Sequence, residues 1–147
     1  MLALLSLFSV SFLAATVLPL SSEALFLALL AGESSLGSLL LAATLGNTLG
    51  ACVNWWLGTA LRTNLPASRL FTHAASNLES AERWFNRAGK WSLLLAWLPI
   101  IGDALTVFAG VVRVPLWQLA LLAGVGKFAR YCALAGLFAA LMPALGL

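Results

Sequence analysis

Charge is scarce in this sequence. Only 9% of its 147 residues are Asp, Glu, Lys or Arg, where a soluble domain carries about a quarter. None falls in residues 1–22 or 34–61, and an uncharged apolar run of about 18 residues is long enough for a membrane span. A soluble globular domain is thereby excluded. A net charge of +3 scattered along the chain also excludes a nucleic-acid groove. Cysteine is limited to Cys52 and Cys132, in apolar segments without CxxC spacing, and histidine to His73. A disulfide scaffold or a zinc site needs more ligands than that, so His73 reads as a loop residue and no cofactor is called for. No nucleophile–base pair stands out, so an enzyme is the weakest reading. No Lys or Arg precedes Arg62. A signal peptide has a basic leading segment, so the N-terminal apolar run is expected to stay as part of the membrane domain.

What the sequence does hold is apolar residue, 62% of the total, broken at informative places. Five of the eight cations, Arg62, Arg69, Arg83, Arg87 and Lys90, fall within 62–90. The positive-inside rule makes that stretch cytoplasmic. Its end reads as an amphipathic helix from Asn77 to Lys90, with Leu78, Ala81, Trp84, Phe85 and Ala88 on one stripe. Such a helix lies at lipid headgroups or serves as an ordinary connector. Residues 34–61 are long enough to span. Residues 91–112 are interrupted by Pro99 and Gly102, leaving arms of about 8 and 9 residues, each roughly half a bilayer long. Two such arms make a re-entrant hairpin, whose tip survives only where protein or water bonds its backbone. Residues 1–32 repeat the design around Pro19.

The two hairpins match at an offset of 80 residues. Pro19 and Glu23 pair with Pro99 and Asp103, Gly46 with Gly126, Asn47 with Lys127, and Cys52 with Cys132. A hairpin returns to its own side and a spanning helix then crosses, so a duplicated unit of this kind must sit upside down relative to the first. The expected fold is an all-α integral membrane protein of one domain. Repeat one covers about 1–61, a cytoplasmic linker with its amphipathic helix covers 62–90, and repeat two covers about 91–147. Residues 114–147 exceed one span, so a break near Gly136 or Pro143 is a further expectation. Inverted repeats with broken helices are a transporter design, with the site at the midplane.

Four charges are expected inside the membrane: Glu23, Asp103, Lys127 and Arg130. Glu23 precedes Glu33 by ten residues, as Asp103 precedes Arg113. With Glu33 and Arg113 at opposite interfaces, each acid lies roughly 15 Å deep. Lys127 and Arg130, three apart, share a helix face. An intramembrane charge is costly and is paired or wet. The four either form a static ion-pair cluster that holds the hairpins or a site for an ion or a headgroup. Arg113 reads as an interfacial anchor, with a ligand role as the alternative. Gly46-x-x-x-Gly50, with Gly58 on the same helix, permits close helix packing or lets a substrate approach the backbone. Asn47, in the repeat position of Lys127, is the stronger polar candidate there. Most of the tryptophans are belt candidates, but Trp97, beside the Pro99 tip, is placed to line the interior.

At this point the chain resembles a known family. Residues 45–58, with Gly46, Asn47, Gly50, Asn54 and Gly58, are similar to the stretch after the first re-entrant loop of the DedA family (VTT superfamily). Residues 97–115, with Pro99, Gly102, Asp103 and Arg113, are similar to its second re-entrant motif. Gly126-Lys127-Phe128-Ala129-Arg130-Tyr131 resembles the final helix of the short, YqaA-type branch. The resemblance implies a bacterial inner-membrane protein that moves lipid between leaflets, undecaprenyl phosphate or phospholipid, with a proton-motive link. Membrane lipids with anionic headgroups, and protons, are the implied partners. The family acid of the first hairpin falls on Glu23, and its acid on the following helix falls on Asn47. Many members carry arginines flanking the second-hairpin proline, where this chain has Trp97 and Asp103. Lys127 and Arg130 are the cations left to replace them. A non-transporting assembly or envelope-homeostasis factor is the alternative function.

Overall fold

The computed structural model describes residues 1–16, 21–32, 34–64, 83, 85, 87, 89–98 and 101–141. Every regular element among the described residues is helical: α1 (Leu2–Ala14), α2 (Ser22–Leu30), α3 (Leu36–Asn64), a 3₁₀ segment (Gly89–Trp97), α4 (Ile101–Val111) and α5 (Leu116–Leu141). Pro19 and Pro99 at the expected tips lie outside the described residues, as do Glu33, His73 and Pro143. So do Asn77, Leu78, Ala81, Trp84 and Ala88 of the expected linker helix.

Length divides the helices into two kinds. At 1.5 Å per residue α3 is about 43 Å long and α5 about 39 Å, both more than the roughly 30 Å of bilayer hydrocarbon. They are the two described helices long and apolar enough to cross a membrane. By the same measure α1, α2 and α4 reach only about 20, 13 and 16 Å. The arm before Pro99 differs from the expected α-helix. It is 3₁₀, and at about 2.0 Å per residue it reaches roughly 18 Å. A residue before proline avoids the α conformation, and the arm closes with a three-residue bond from the Leu98 N–H to the Leu95 carbonyl (2.9 Å). Of the two expected break points in the last helix, Gly136 is not one, since α5 runs unbroken through it, and Pro143 lies outside the described residues.

The long helices are inside out by the standards of a soluble protein. On α3, the buried residues are Leu39, Ala43, Gly46, Asn47, Gly50, Ala51, Asn54 and Gly58, spaced by three and four. Leu41, Leu45, Leu49, Trp56, Leu57 and Leu61 are exposed. On α5, Gly126, Lys127 and Tyr131 are buried while Leu121, Val125, Phe128 and Leu137 are exposed. Water would drive the large residues inward. Lipid does not, and instead favours small residues that let backbones approach and polar residues that bond across helices.

Close approaches fix the relative directions of the helices. A Cβ on Gly46 would strike the Phe8 carbonyl, and one on Gly50 would strike Ala15 and the Phe12 carbonyl. Contacts thus climb together along α1 and α3, and the two helices run parallel. α3 and α4 also run parallel, since their hydrogen bonds climb together from Asn54–Thr106 through Thr59–Gly110 to Arg62–Val111, and Gly58 and Gly110 bring the two backbones close. A Cβ on Gly58 would strike the Val107 carbonyl, and one on Gly110 the Trp55 carbonyl. α5 runs the other way, since Thr48 of α3 faces Gly124, and Asn47 bonds Lys127 and Tyr131. The 3₁₀ segment is parallel to α5, with Leu94 against Gly126 and Trp97 against Arg130.

The end of α4 is tied with particular care. Arg113 has a positive φ of 55°, and its N–H bonds to the Gly110 carbonyl (3.1 Å) while the Val114 N–H bonds to that of Ala109 (2.9 Å). These are the two bonds of a Schellman motif, which favours glycine where Arg113 stands. Val114 and Ala109 are both fully buried in one apolar cluster with Phe85, Leu93, Val112, Leu119 and Leu122. Of the expected linker stripe, Phe85 thus turns into the protein, edge-on to Phe108 at 5.4 Å between ring centres, while Arg83 and Arg87 are exposed.

The glycine contacts make a direct prediction. Gly46→Ala and Gly58→Ala are expected to cost about 1–3 kcal/mol each through overpacking against backbone. Gly136→Ala, which meets nothing within 4 Å, should change stability by less than about 1 kcal/mol. Unfolding in detergent micelles measures all three. Equal tolerance at the three positions would contradict the close packing.

Candidate functional site

A buried chain of polar groups joins the two long helices. Lys127 is 3% exposed. Its ammonium donates to the backbone carbonyl of Asn47 (3.1 Å) and to the side-chain oxygen of Asn47. Lysine only donates, so it holds the Asn47 amide with its oxygen toward the charge. The Asn47 NH₂ then points away and donates to the Tyr131 hydroxyl (3.0 Å). The Tyr131 hydroxyl also shares a hydrogen bond with Ser22 Oγ, 2.9 Å away. The order Lys127, Asn47, Tyr131, Ser22 runs from the interior charge to the first turn of α2. The Tyr131 ring also packs against Phe26 of α2, with centres 5.1 Å apart.

Beside this chain lies a second, more open arrangement. Arg130 is placed between three elements. One guanidinium nitrogen donates to the Trp97 carbonyl at the end of the 3₁₀ segment (2.7 Å). Another forms an ion pair with Glu23 in the first turn of α2. The Arg130 and Glu23 side chains are 22% and 34% exposed, so this pair is reachable where Lys127 is not. Glu23 also gains from its place at a helix start, where the free N–H groups favour a negative charge. Ser21 caps that start, accepting from the Ala24 N–H (3.3 Å).

Asp103 occupies the corresponding first turn of α4 and is half-buried. Among the described residues its carboxylate makes no ion pair within 4 Å, and Lys127 acts on it through electrostatic attraction alone. The four interior charges therefore do not form one neutral cluster. Gly102 beside it admits the Ala96 backbone, where a Cβ would not fit. Arg113 is exposed at the end of α4, away from these groups. Trp55 is not a free belt residue, because its ring N–H donates to the Val114 carbonyl (2.8 Å). Trp56, Trp91 and Trp117 are exposed.

Tyr131, Ser22, Asn54 and Thr106 are site residues that sequence reasoning passed over as contributors. Asn54 donates to the Ala15 carbonyl (2.9 Å) and to Thr106 Oγ1 (3.3 Å), so one amide joins α3 to both short helical pairs. A buried stripe at Asn47 and Asn54, seven residues apart, was the available signal. The Tyr131 signal was its place four residues after Lys127 on one face.

Comparison with known proteins places this arrangement. The VTT domain model matches residues 15–140, from the end of α1 to the penultimate residue of α5. The chain belongs to the VTT-domain family, the DedA family. It is 39% identical over 137 residues to the inner membrane protein YqaA of Escherichia coli (strain K12), covering 91% of this chain and 89% of that protein. The same figures hold for the inner membrane protein YqaA of Shigella flexneri. A protein of Haemophilus influenzae described as uncharacterized is 36% identical over 132 residues, 84% of this chain and 80% of its own length. No solved structure matches.

In this VTT-domain chain the Lys127–Asn47 contact is expected to show non-additive energetics. Asn47→Leu leaves the buried ammonium with the backbone carbonyl alone and should cost about 1–3 kcal/mol. Adding Lys127→Met removes that charge, so the double variant should be more stable than Asn47→Leu alone. Unfolding of the four proteins in micelles gives the cycle. A double variant less stable than Asn47→Leu would contradict the contact.

Proposed function

We propose that this VTT-domain protein is an inner-membrane lipid transporter that moves a phosphate-bearing anionic headgroup between leaflets. The fold behind the proposal is two inverted units, each a re-entrant hairpin followed by a spanning helix. Several observations support it. α1 advances along α3 as far as Asn54, where Asn54 bonds Ala15, and α2 returns toward the start of α3, with Phe26 in one cluster with Leu39 and Ala43. The 3₁₀ segment advances along α5 as far as Arg130, and α4 returns to the far end of α3, where Arg62 donates to the Val111 carbonyl (2.8 Å). α3 and α5 are antiparallel, and Asn47 and Lys127, equivalent by the 80-residue offset, touch each other. Residues equivalent under a two-fold axis meet when they lie on it. The inner-membrane location follows the two YqaA relatives, which are inner membrane proteins.

The observation that carries the function is Arg130. It is a reachable guanidinium held where the ends of both short pairs converge. Arginine offers a fork of donors that suits phosphate. Lys127, locked by Asn47, contributes a fixed positive charge behind it, and Asp103 supplies a free carboxylate suited to carrying a proton. A second reading, the non-transporting assembly factor, is favoured by one feature: Arg130 and Lys127 already have internal partners.

Proteoliposomes separate the two. Wild-type protein is expected to accelerate leaflet exchange of a fluorescent phosphatidylglycerol or of undecaprenyl phosphate over protein-free vesicles. Arg130→Lys, which keeps the charge and loses the fork, should slow exchange about tenfold. An imposed pH gradient in the same vesicles tests proton coupling. No acceleration with any anionic lipid, at any pH or membrane potential applied, would leave the assembly-factor reading.

A further inference from the structure

We infer that Glu23 is a built-in competitor for the anion site, holding Arg130 until an incoming phosphate group displaces it. The inference rests on the reading of Arg130 given above and adds the sign of the role played by Glu23.

The geometry separates what holds Arg130 in place from what occupies it. The Trp97 carbonyl takes one nitrogen of the guanidinium, and the Glu23 carboxylate pairs with another. Loss of the carboxylate therefore leaves the guanidinium anchored. The same holds on the other side of the pair. α2 remains fastened to α5 through Ser22 and Tyr131 and through the Phe26 ring, which packs tilted against Tyr131. Displacement thus needs only a rotation of the Glu23 side chain. Both partners are partly exposed, so burial does not bar an anion from either.

Charge favours exchange over simple addition. A phosphate joining an intact Glu23–Arg130 pair would meet a carboxylate. A phosphate replacing that carboxylate leaves the charge on Arg130 compensated throughout. Lys127 offers no alternative, being buried and bonded twice to Asn47. The ligand class that fits is a phosphate anion without a cationic arm of its own, either esterified in a lipid headgroup or free.

Self-occupancy lowers apparent affinity by the fraction of time the site is free. A pair closed for nine-tenths of the time weakens binding about tenfold. Glu23→Gln keeps the shape and removes the competing charge, so it should bind anions about tenfold more tightly than wild type. Were Glu23 instead a direct contributor to ligand or proton binding, the same change would weaken binding.

The test uses full-length protein in nanodiscs of neutral lipid, titrated with dioctanoyl phosphatidic acid and separately with inorganic phosphate, and read by calorimetry. Thermal melting of each variant establishes folding. Glu23→Gln is expected to bind tighter than wild type. Glu23→Asp, whose shorter carboxylate reaches Arg130 less well, is expected to fall between them and serves if the glutamine variant does not fold. Adding Arg130→Gln to either should abolish binding. Tightening with phosphatidic acid alone assigns the site to lipid, and tightening with both probes assigns it to the phosphate group itself. If wild type binds but neither Glu23 variant binds more tightly, the competitor role is overturned and the transport reading stands. If no variant binds either probe, both fall.

Discussion

Wherever a helix stops in apolar surroundings, its last carbonyls need a donor, because neither lipid nor an apolar core supplies one. Three short segments end that way here, and each end carbonyl is met by a side chain from a long helix. Asn54 of α3 reaches Ala15 at the end of α1, and Arg62 of α3 reaches Val111 at the end of α4. Arg130 of α5 reaches Trp97 at the end of the 3₁₀ segment. The polar residues of α3 and α5 sit where they do because the short segments end beside them. Moving any of these three donors by one residue would turn it away from its carbonyl.

The same constraint explains the rest of the packing. A donor reaches a neighbouring backbone only when the helices lie close together, and Gly46, Gly50, Gly58 and Gly110 provide that closeness. Where backbones touch, large apolar side chains have no room, and much of the leucine of α3 and α5 is carried on the outer face. Interior charge then needs internal partners. Lys127 finds both oxygens of Asn47, and Arg130 divides its donors between the Trp97 carbonyl and Glu23. Asp103 is the exception, its carboxylate making no ion pair among the described residues.

Much of this was legible in the sequence, because it depends on local quantities. Run length separated α3 and α5 from the short arms, and the glycine spacing marked the packed face of α3. The offset of 80 residues singled out Asn47 and Lys127, which touch. The family followed from three blocks in order and agrees with the VTT-domain match. What was not legible depends on register between helices. Nothing local shows that Tyr131 stands between Ser22 and Asn47, or that Asn54 bonds a residue 39 positions earlier. Arg130 and Lys127, expected to act together from one helix face, have separate partners because α2 and the 3₁₀ segment crowd one side of α5 while α3 takes the other. The 3₁₀ form of the arm before Pro99 was hidden too, since apolar periodicity of three and of 3.6 cannot be told apart over nine residues.

The central proposal is that both short pairs turn back near the middle of the bilayer, with the start of α2 and the end of the 3₁₀ segment meeting at Arg130. Depth measurement by electron paramagnetic resonance tests it most directly. Single spin labels at Thr16 and Leu98, in a background lacking Cys52 and Cys132, would be placed in nanodiscs and read by collision with oxygen and with a polar nickel complex. A label at Trp117 serves as the interfacial reference. The account predicts that Thr16 and Leu98 lie at a common depth near the bilayer centre, well below Trp117. Either label at the headgroup depth of Trp117 would contradict it.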